Sequence, residues 1–128
     1  MRVLLDTHAL LWFAGGDTQL SAVARSAIEA EANQPLVSMA SVWEMGIKIS
    51  LGKLDIGMGL GAFVRAHVMG NGMELLAITP EHVERVVGLA FHQRDPFDRL
   101  LIAQALEEGV AIVGRDTEFD QYGVTLIW

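Results

Sequence analysis

Short apolar segments alternate with helix-forming segments along the whole chain, and this order constrains the fold more than any other feature of the sequence. We predict strands at Arg2–Leu5, Pro35–Val37, Leu75–Ile78, Val110–Val113 and Val124–Ile127. Strands that alternate with helices form an α/β fold with a mainly parallel sheet. Because the strands are apolar almost throughout, we expect helices to cover both faces of the sheet.

Helix-forming segments separate these strands, and several begin with a residue suited to an N-cap. We predict helices at Thr7–Ala14, Ser21–Ala32 and Ser38–Leu51, from about Leu60, from Pro80 to about Ala90, and from Asp95 to about Glu108. Ser21 is the expected N-cap of the second helix. Thr79 and Asp95 each precede a proline at the first helical position, so we expect both to be N-caps as well.

Composition narrows the class of protein. The chain has 128 residues, of which 52% are hydrophobic, and we predict that residues 1–128 form a single domain. It has no cysteine, which excludes disulfides, zinc–thiolate sites, iron–sulfur clusters and thiol nucleophiles. Asp6 interrupts any signal-peptide core, and no apolar run approaches the roughly 20 residues of a membrane-spanning helix. We therefore expect a soluble, cytoplasmic protein.

The formal net charge of −7 is unusual for a nucleic-acid-binding protein, which typically carries a basic surface. It fits a small-molecule enzyme or a protein-binding module. It also fits a cluster of acids that holds cations, which would then face phosphate groups. Composition leaves these alternatives open.

Acidic residues in apolar surroundings follow or flank the predicted strands. The four candidates for one site are Asp6, Glu44, Asp98 and Asp116. In a parallel sheet, ligands bind beyond the carboxyl ends of the strands, so we expect these side chains to meet at that edge. Carboxylates without thiols make a hard oxygen site suited to Mg²⁺ or Mn²⁺. One or two such ions can activate water and stabilise the leaving oxygen of a phosphodiester.

Each acid also has a local structural explanation. Asp6 could cap the first helix, and Glu44 could complete a capping box with Ser41, although that helix is predicted to begin nearer Ser38. Asp98 would lie in the first turn of its helix, where the helix dipole stabilises a carboxylate. Asp116 could be a turn residue.

Other prominent side chains have two interpretations. Arg94, Arg99 and Arg115 flank the acids and could bind RNA phosphates or only balance the acidic charge. His8 is close enough in sequence to Asp6 to contact the site. Trp12 and Trp43 lie on apolar helix faces, and we expect them in the core.

Four segments together resemble the PIN-domain toxins of the VapC family. Leu4–Trp12 resembles their first motif, Ser41–Glu44 the second, His92–Ala103 the third and Gly114–Phe119 the fourth. The resemblance covers essentially the whole chain in the right order, and the combination of the first and third motifs is highly specific.

This resemblance implies a PIN-like three-layer α/β/α sandwich with a mainly parallel central sheet. It implies four catalytic, metal-binding acids: Asp6, Glu44, Asp98 and Asp116. Thr7 or Ser41 would help to position the site through its hydroxyl, and Arg99 and Arg115 would support it. The implied activity is endonucleolytic cleavage of RNA with Mg²⁺ or Mn²⁺. The implied partners are a cognate antitoxin, which blocks the site and usually binds operator DNA, and a second copy in a homodimer.

Three alternatives remain. A haloacid-dehalogenase-like enzyme requires an acid two residues after Asp6, where this chain has His8. A receiver-like protein requires a lysine after a late strand, but the only lysines are Lys48 and Lys53. A catalytically silent PIN-like module for RNA or protein binding is the third alternative. Such a module should have lost at least one acid, whereas all four are present.

Overall fold

Five parallel strands form the central sheet in a computed structural model that covers residues 1–128. They are β1 (Arg2–Leu5), β2 (Gln34–Ser38), β3 (Glu74–Leu76), β4 (Ala111–Val113) and β5 (Leu126–Ile127). The strand order is β3-β2-β1-β4-β5, and every neighbouring pair is parallel. The predicted parallel sheet is therefore confirmed.

Six α-helices connect the strands. They are α1 (Thr7–Gly15), α2 (Ala22–Glu29), α3 (Met39–Ser50), α4 (Leu60–Phe63), α5 (Pro80–Val87) and α6 (Pro96–Glu108). The chain continues from α4 through a π-helical turn at Val64–Val68, and a 3₁₀ helix at Thr117–Tyr122 follows β4. None of the helices combines the length and the apolar character that crossing a membrane requires.

Two helices are shorter than predicted. The second was expected to reach Ala32 but ends at Glu29, and the side-chain amide of Asn33 donates to the Ala27 carbonyl at 2.9 Å. That bond satisfies a carbonyl that a longer helix would have used. The fifth ends at Val87 rather than near Ala90, because the Arg99 guanidinium donates to the carbonyls of Leu89 and Ala90 that follow it.

Side chains alternate across the sheet and fill two separate cores. Val3, Leu5, Val37 and Val113 pack on one face with side chains of α1, α2, α3 and α4. Leu4, Leu36 and Ile112 pack on the other face with α6 and the 3₁₀ helix. The expected three-layer α/β/α arrangement is confirmed, because successive residues of a strand point to opposite faces.

The three predicted N-caps are confirmed. The Ser21 hydroxyl accepts from the Ala24 amide at 3.0 Å, and the Thr79 hydroxyl accepts from the His82 amide at 3.3 Å. The Asp95 carboxylate accepts from the amides of Phe97 and Asp98 at 2.9 and 3.1 Å. Each cap satisfies an amide that has no partner within its own helix.

A buried polar contact fixes the start of α3 against α6. Ser38 is both the last residue of β2 and the N-cap of α3, and its hydroxyl accepts from the Ala40 amide at 2.9 Å. The same hydroxyl donates to Gln104 Oε1 at 2.5 Å. Gln104 Nε2 lies 3.4 Å from the buried ring of His82 on α5. Because neither Ser38 nor Gln104 is exposed to solvent, the contact sets where α3 leaves the sheet.

We predict that Gln104→Leu destabilises the protein by about 2 kcal/mol, because it leaves the buried hydroxyl of Ser38 without its acceptor. Thermal and urea unfolding measure the loss. The control is Gln121→Leu, at an exposed position, which should change stability by less than about 0.5 kcal/mol. Equal stabilities of the two variants would contradict the role given to Gln104.

Candidate active site

Five carboxylates line one cleft of about 140 Å³ at the carboxyl edge of the sheet, and four of them are the acids selected from the sequence. Asp6 directly follows β1, Glu44 lies on α3, Asp98 lies in the first turn of α6, and Asp116 follows β4 by three residues. Thr7, His8, Lys48, Asp95 and Phe119 complete the lining. The structure thus brings together all four acids that the sequence analysis selected.

Asp6 has two roles that the sequence analysis treated as alternatives. Its Oδ1 accepts from the Ala9 amide at 2.7 Å and caps α1. Its own amide donates to the Val113 carbonyl at 3.0 Å, which ties it to the end of β4. The backbone of Asp6 is therefore held by β4 and its side chain by α1, and Oδ2 remains beside Gly114 at the cleft.

The capping box suggested for Glu44 and Ser41 is wrong. α3 begins at Met39 with Ser38 as its N-cap, so Ser41 and Glu44 lie within the helix, about one turn apart. Glu44 Oε1 instead accepts from the Thr7 hydroxyl at 2.7 Å, and the hydroxyl oxygens of Thr7 and Ser41 are 3.0 Å apart. Glu44 Oε2 pairs with Lys48 Nζ at 2.9 Å.

The two remaining acids lie at the starts of helical segments. Asp98 follows the Asp95 cap of α6, and both carboxylates face the same cleft. Asp116 caps the 3₁₀ helix, because its carboxylate accepts from the Glu118 amide at 2.9 Å. Helix N-termini place partial positive charge near both carboxylates.

Burial and mutual repulsion raise the pKa of two of these acids. Burial raises the pKa of Asp6 to about 6, although the hydrogen bond from the Ala9 amide opposes the shift. Burial also raises the pKa of Asp98 to about 7, and the negative charges of Asp95, Glu44, Asp6 and Asp116 add to the effect. The cleft therefore carries negative charge that Lys48, already paired with Glu44, does not balance.

The chemistry of the cleft fits a divalent cation. Its acidic side chains offer carboxylate oxygens, the ligand atoms that Mg²⁺ and Mn²⁺ prefer. A cation would also relieve the repulsion that contributes to the raised pKa of Asp98. No three Asp, Glu or His side chains already surround one point at metal–ligand distances. A single ion could therefore be shared by three of these carboxylates only after some of them rotate.

Arg99 does not belong to the cleft, and the prediction that it supports the site is wrong. It is only 6% exposed. Its guanidinium donates to four backbone carbonyls at 2.9–3.2 Å, those of Val86, Leu89, Ala90 and Gln93. It also stacks on Phe91 at 4.3 Å. Arg99 therefore organises the segment between α5 and α6, which has no regular structure to satisfy those carbonyls.

Arg115 and the two tryptophans singled out in the sequence lie in different surroundings. The Arg115 side chain stacks over the Trp12 ring at 4.7 Å, and Trp12 is partly buried against the core. Trp43 was also expected in the core, but it is 61% exposed and contacts Phe97 with ring centroids 5.3 Å apart. That expectation is wrong because the face of α3 that carries Trp43 points away from both cores.

Two contributors to the site were missed in the sequence. A Cβ on Gly114 would lie 2.5 Å from Asp6 Oδ2, so only glycine leaves the Asp6 carboxylate in place, and no sequence signal shows this. Lys48 pairs with Glu44 one turn away, a partnership that the spacing of four residues could have indicated.

An all-parallel five-stranded sheet with a carboxylate-lined cleft at its carboxyl edge defines an α/β protein with an oxygen-rich site. The PIN-domain family model matches residues 3–124, and the chain therefore belongs to the PIN-domain family. Ribonucleases of this family generally depend on a divalent metal ion.

Individual relatives support the same grouping. The chain is 28% identical over 115 residues to Ribonuclease VapC22 of Mycobacterium tuberculosis, an alignment that covers 89% of this chain and 86% of that protein. VapBC2 from Rickettsia felis, solved with a promoter DNA fragment, superposes with a TM-score of 0.70 at 13% identity and covers 98% of this chain and 97% of that one. VapC20 of Mycobacterium tuberculosis, described as a sarcin–ricin loop cleaving toxin, superposes with a TM-score of 0.67 at 14% identity over 96% of both chains. At these identities the structural likeness shows the fold alone.

We predict that Asp98→Asn stabilises the protein in EDTA by about 1–2 kcal/mol at pH 8, because the amide removes a charge that burial, and then the neighbouring acids, make unfavourable. A carboxyl whose pKa is raised on folding stabilises the fold below its unfolded-state pKa, and that contribution is lost as pH rises through the folded pKa. With a folded pKa of about 7, the advantage of the variant should grow between about pH 4 and pH 8. Urea unfolding at both pH values measures it. Asp17→Asn, outside the cleft, is the control, and an equal effect of Asp98→Asn at both pH values would contradict the raised pKa of Asp98.

We predict that Gly114→Ala displaces the Asp6 carboxylate and weakens metal binding. The added Cβ forces Asp6 to rotate away from the Ala9 amide, and the lost cap costs about 1 kcal/mol. The rise in Tm on adding Mn²⁺ should fall well below that of the wild type. Gly88→Ala is the matched control, because a Cβ there would meet nothing closer than 3.8 Å. A full Mn²⁺ response in Gly114→Ala would show that Asp6 tolerates the contact.

Proposed function

We propose that this protein is a divalent-metal-dependent endoribonuclease that acts as the toxin of a toxin–antitoxin pair. The observation that carries the proposal is the convergence of Asp6, Glu44, Asp98 and Asp116 on one cleft in a chain that belongs to the PIN-domain family. The similarity to Ribonuclease VapC22 over most of both proteins favours RNA as the substrate. We further propose that residues 1–128 form one PIN domain.

The four carboxylates are the proposed ligands of one or two Mg²⁺ or Mn²⁺ ions. When bound, such an ion supplies an activated water and stabilises the charge on the leaving oxygen of the phosphodiester. If one ion were held by only part of this set, a remaining carboxylate would be the group available to accept the proton of the attacking water. The raised pKa values of Asp6 and Asp98 imply that the ions also hold these groups in the charged form at neutral pH.

The residues around the acids keep them in place. The Ala9 amide holds one oxygen of Asp6 and leaves Oδ2 at the cleft. Thr7 and Ser41 form a short hydrogen-bonded chain that restrains Glu44. Lys48 lies at the wall of the cleft, paired with Glu44. Its ammonium group is a donor for the oxygen of a phosphate that enters the cleft. This arrangement reduces the side-chain movement needed to reach a productive geometry.

The proposed partners are RNA as substrate, a cognate antitoxin and a second copy of the chain in a homodimer. Two of the structural relatives are VapBC assemblies, which favours an antitoxin as a partner of this chain. The acidic surface suits a partner segment with basic residues. The homodimer and the cytoplasmic location stay predictions.

The test is inducible expression of the wild type, Asp6→Asn and Asp17→Asn in a bacterial host, with growth and total RNA followed together. Asparagine at position 6 keeps an oxygen for the Ala9 amide, so Asp6→Asn should fold. Asp17 also caps a local turn, through the Gln19 amide, but lies outside the cleft, which makes Asp17→Asn the matched control. We expect growth arrest with discrete RNA cleavage from the wild type and Asp17→Asn, and neither from Asp6→Asn.

Purified proteins make the result independent of the host. The wild type should cleave RNA with Mn²⁺ or Mg²⁺ and stop when EDTA is added, and its Tm should rise with Mn²⁺. Cleavage by Asp6→Asn at the wild-type rate would overturn the assignment of Asp6. A folded wild type whose Tm does not respond to Mn²⁺ and that leaves RNA intact would favour the silent binding module.

A further inference from the structure

A row of aromatic and cationic side chains borders the acidic cleft on the side of β4 and β5. His8 lies three residues after β1, Arg115 two residues after β4, and Trp128 directly after β5. Because β1, β4 and β5 are neighbours in the sheet, these residues meet at the same edge as the acids. Trp12 lies one turn after His8 on α1. We call His8, Trp12, Arg115 and Trp128 the aromatic–arginine row.

Trp12 is the centre of this row. The Arg115 guanidinium lies 4.7 Å from its ring centroid. The His8 ring lies 5.4 Å from it at an interplanar angle of 30°, and the Trp128 ring 5.7 Å from it at 60°. Trp12 and Trp128 also pack against the core, whereas His8 and Arg115 are exposed. Trp12 is therefore fixed by the core, and the exposed side chains of His8 and Arg115 both pack on its ring.

The guanidinium of Arg115 is available for a ligand. It makes no ion pair with an acid and no hydrogen bond within the protein, whereas Arg99 donates to backbone carbonyls and Lys48 pairs with Glu44. Arg25 also stacks on an aromatic ring of α1, that of Phe13, but it pairs with Glu29. A guanidinium that is oriented by an aromatic ring and has unused donors is well suited to bind phosphate.

The position of Arg115 matters because the cleft itself is negative. Metal ions, when bound, would compensate the scissile phosphate, but the next phosphates of an RNA strand would still approach a cleft lined by five carboxylates. A cation held at the mouth, next to Asp116, lowers that repulsion. The exposed His8 ring, which also lines the cleft, offers a flat surface to an unstacked base.

We propose that the aromatic–arginine row is a subsite for the single-stranded ribonucleotide next to the cleaved bond. Arg115 binds its phosphate, His8 stacks on its base, and Trp12 is a positioning residue that holds both side chains. The inference rests on the proposed ribonuclease function. It adds the surface that receives the substrate strand and the direction in which the strand leaves the cleft, toward β5.

The experiment compares Arg115→Ala and Arg115→Lys with the matched control Arg25→Ala. The probe is a short, random-sequence, fluorescein-labelled single-stranded RNA. Its Kd is measured by anisotropy in EDTA over a series of KCl concentrations, and its cleavage is followed with Mn²⁺. We expect Arg115→Ala to raise Kd and KM about tenfold with little change in kcat. The slope of log Kd against log salt should fall by about 0.7, the value for one phosphate contact to a single strand.

The two companion variants separate charge from orientation. Arg115→Lys should keep the salt slope because the charge remains, but should raise Kd because an ammonium group lacks the planar fork that stacks on Trp12. Arg25→Ala removes the same charge and the same kind of aromatic contact away from the cleft, and it should match the wild type.

A double-mutant cycle tests the role of Trp12. Trp12→Leu should raise KM in the wild-type background and raise it by a smaller factor in the Arg115→Ala background, because one of the two side chains that Trp12 holds is already absent there. Fully additive effects would overturn the positioning role. The Tm of each variant, with and without Mn²⁺, shows whether the fold and the acidic site are intact.

The outcomes distinguish the subsite from the proposed function. If the wild type cleaves RNA and Arg115→Ala matches Arg25→Ala in Kd, KM and salt slope, the subsite is overturned and the ribonuclease function stands. If Arg115→Ala lowers kcat and leaves Kd unchanged, Arg115 is not a substrate-binding residue and the proposal is wrong. If the folded wild type does not cleave RNA with Mn²⁺, the ribonuclease function fails and the subsite falls with it.

Discussion

Repulsion among carboxylates at the carboxyl edge of the parallel sheet is the constraint on which the rest of the structure depends. β1 and β4 end side by side, so the residues that follow them must share a small volume. Asp6 and Asp116 follow these strands, and α3 and α6 bring Glu44 and Asp98 to the same cleft. Burying several carboxylates together is unfavourable without cations or hydrogen-bond donors, and the structure supplies donors for every carboxylate of the cleft except that of Asp98.

The restraint comes from ordinary local structure. Asp6 caps α1 and Asp116 caps a 3₁₀ helix, so amides that need an acceptor hold one oxygen of each carboxylate. Glu44 is restrained by Thr7 and Lys48. Asp98 is different, because burial and four neighbouring acids all raise its pKa. A site assembled in this way keeps its acids oriented and leaves the Asp98 carboxylate without a hydrogen-bond donor.

The two sides of the cleft differ in chemistry. On the side of β4 and β5, the aromatic–arginine row exposes a guanidinium and an imidazole. On the opposite side, Trp43 and Phe97 directly precede Glu44 and Asp98, and with Val83, Val86, Pro96 and Leu100 they line an apolar groove. The cleft therefore borders a charged, aromatic surface on one side and an apolar surface on the other.

The sequence by itself determined the strand and helix order, the three N-caps and the four acids, because these depend on local periodicity and on residues close along the chain. It could not decide between capping and ligand roles for Asp6, and the structure shows the cap and the cleft position together. Only the tertiary structure decided the contacts of Arg99 and Glu44 and the exposure of Trp43. The partners of Arg99 are carbonyls at the end of α5 and in the irregular segment after it, 6 to 13 residues away. Trp43 lies on a helix face that points away from both cores and borders an apolar groove. Glu44 accepts from a hydroxyl of another strand–helix junction, 37 residues away. Such outcomes depend on which surfaces the folded chain brings together, and no local pattern records that.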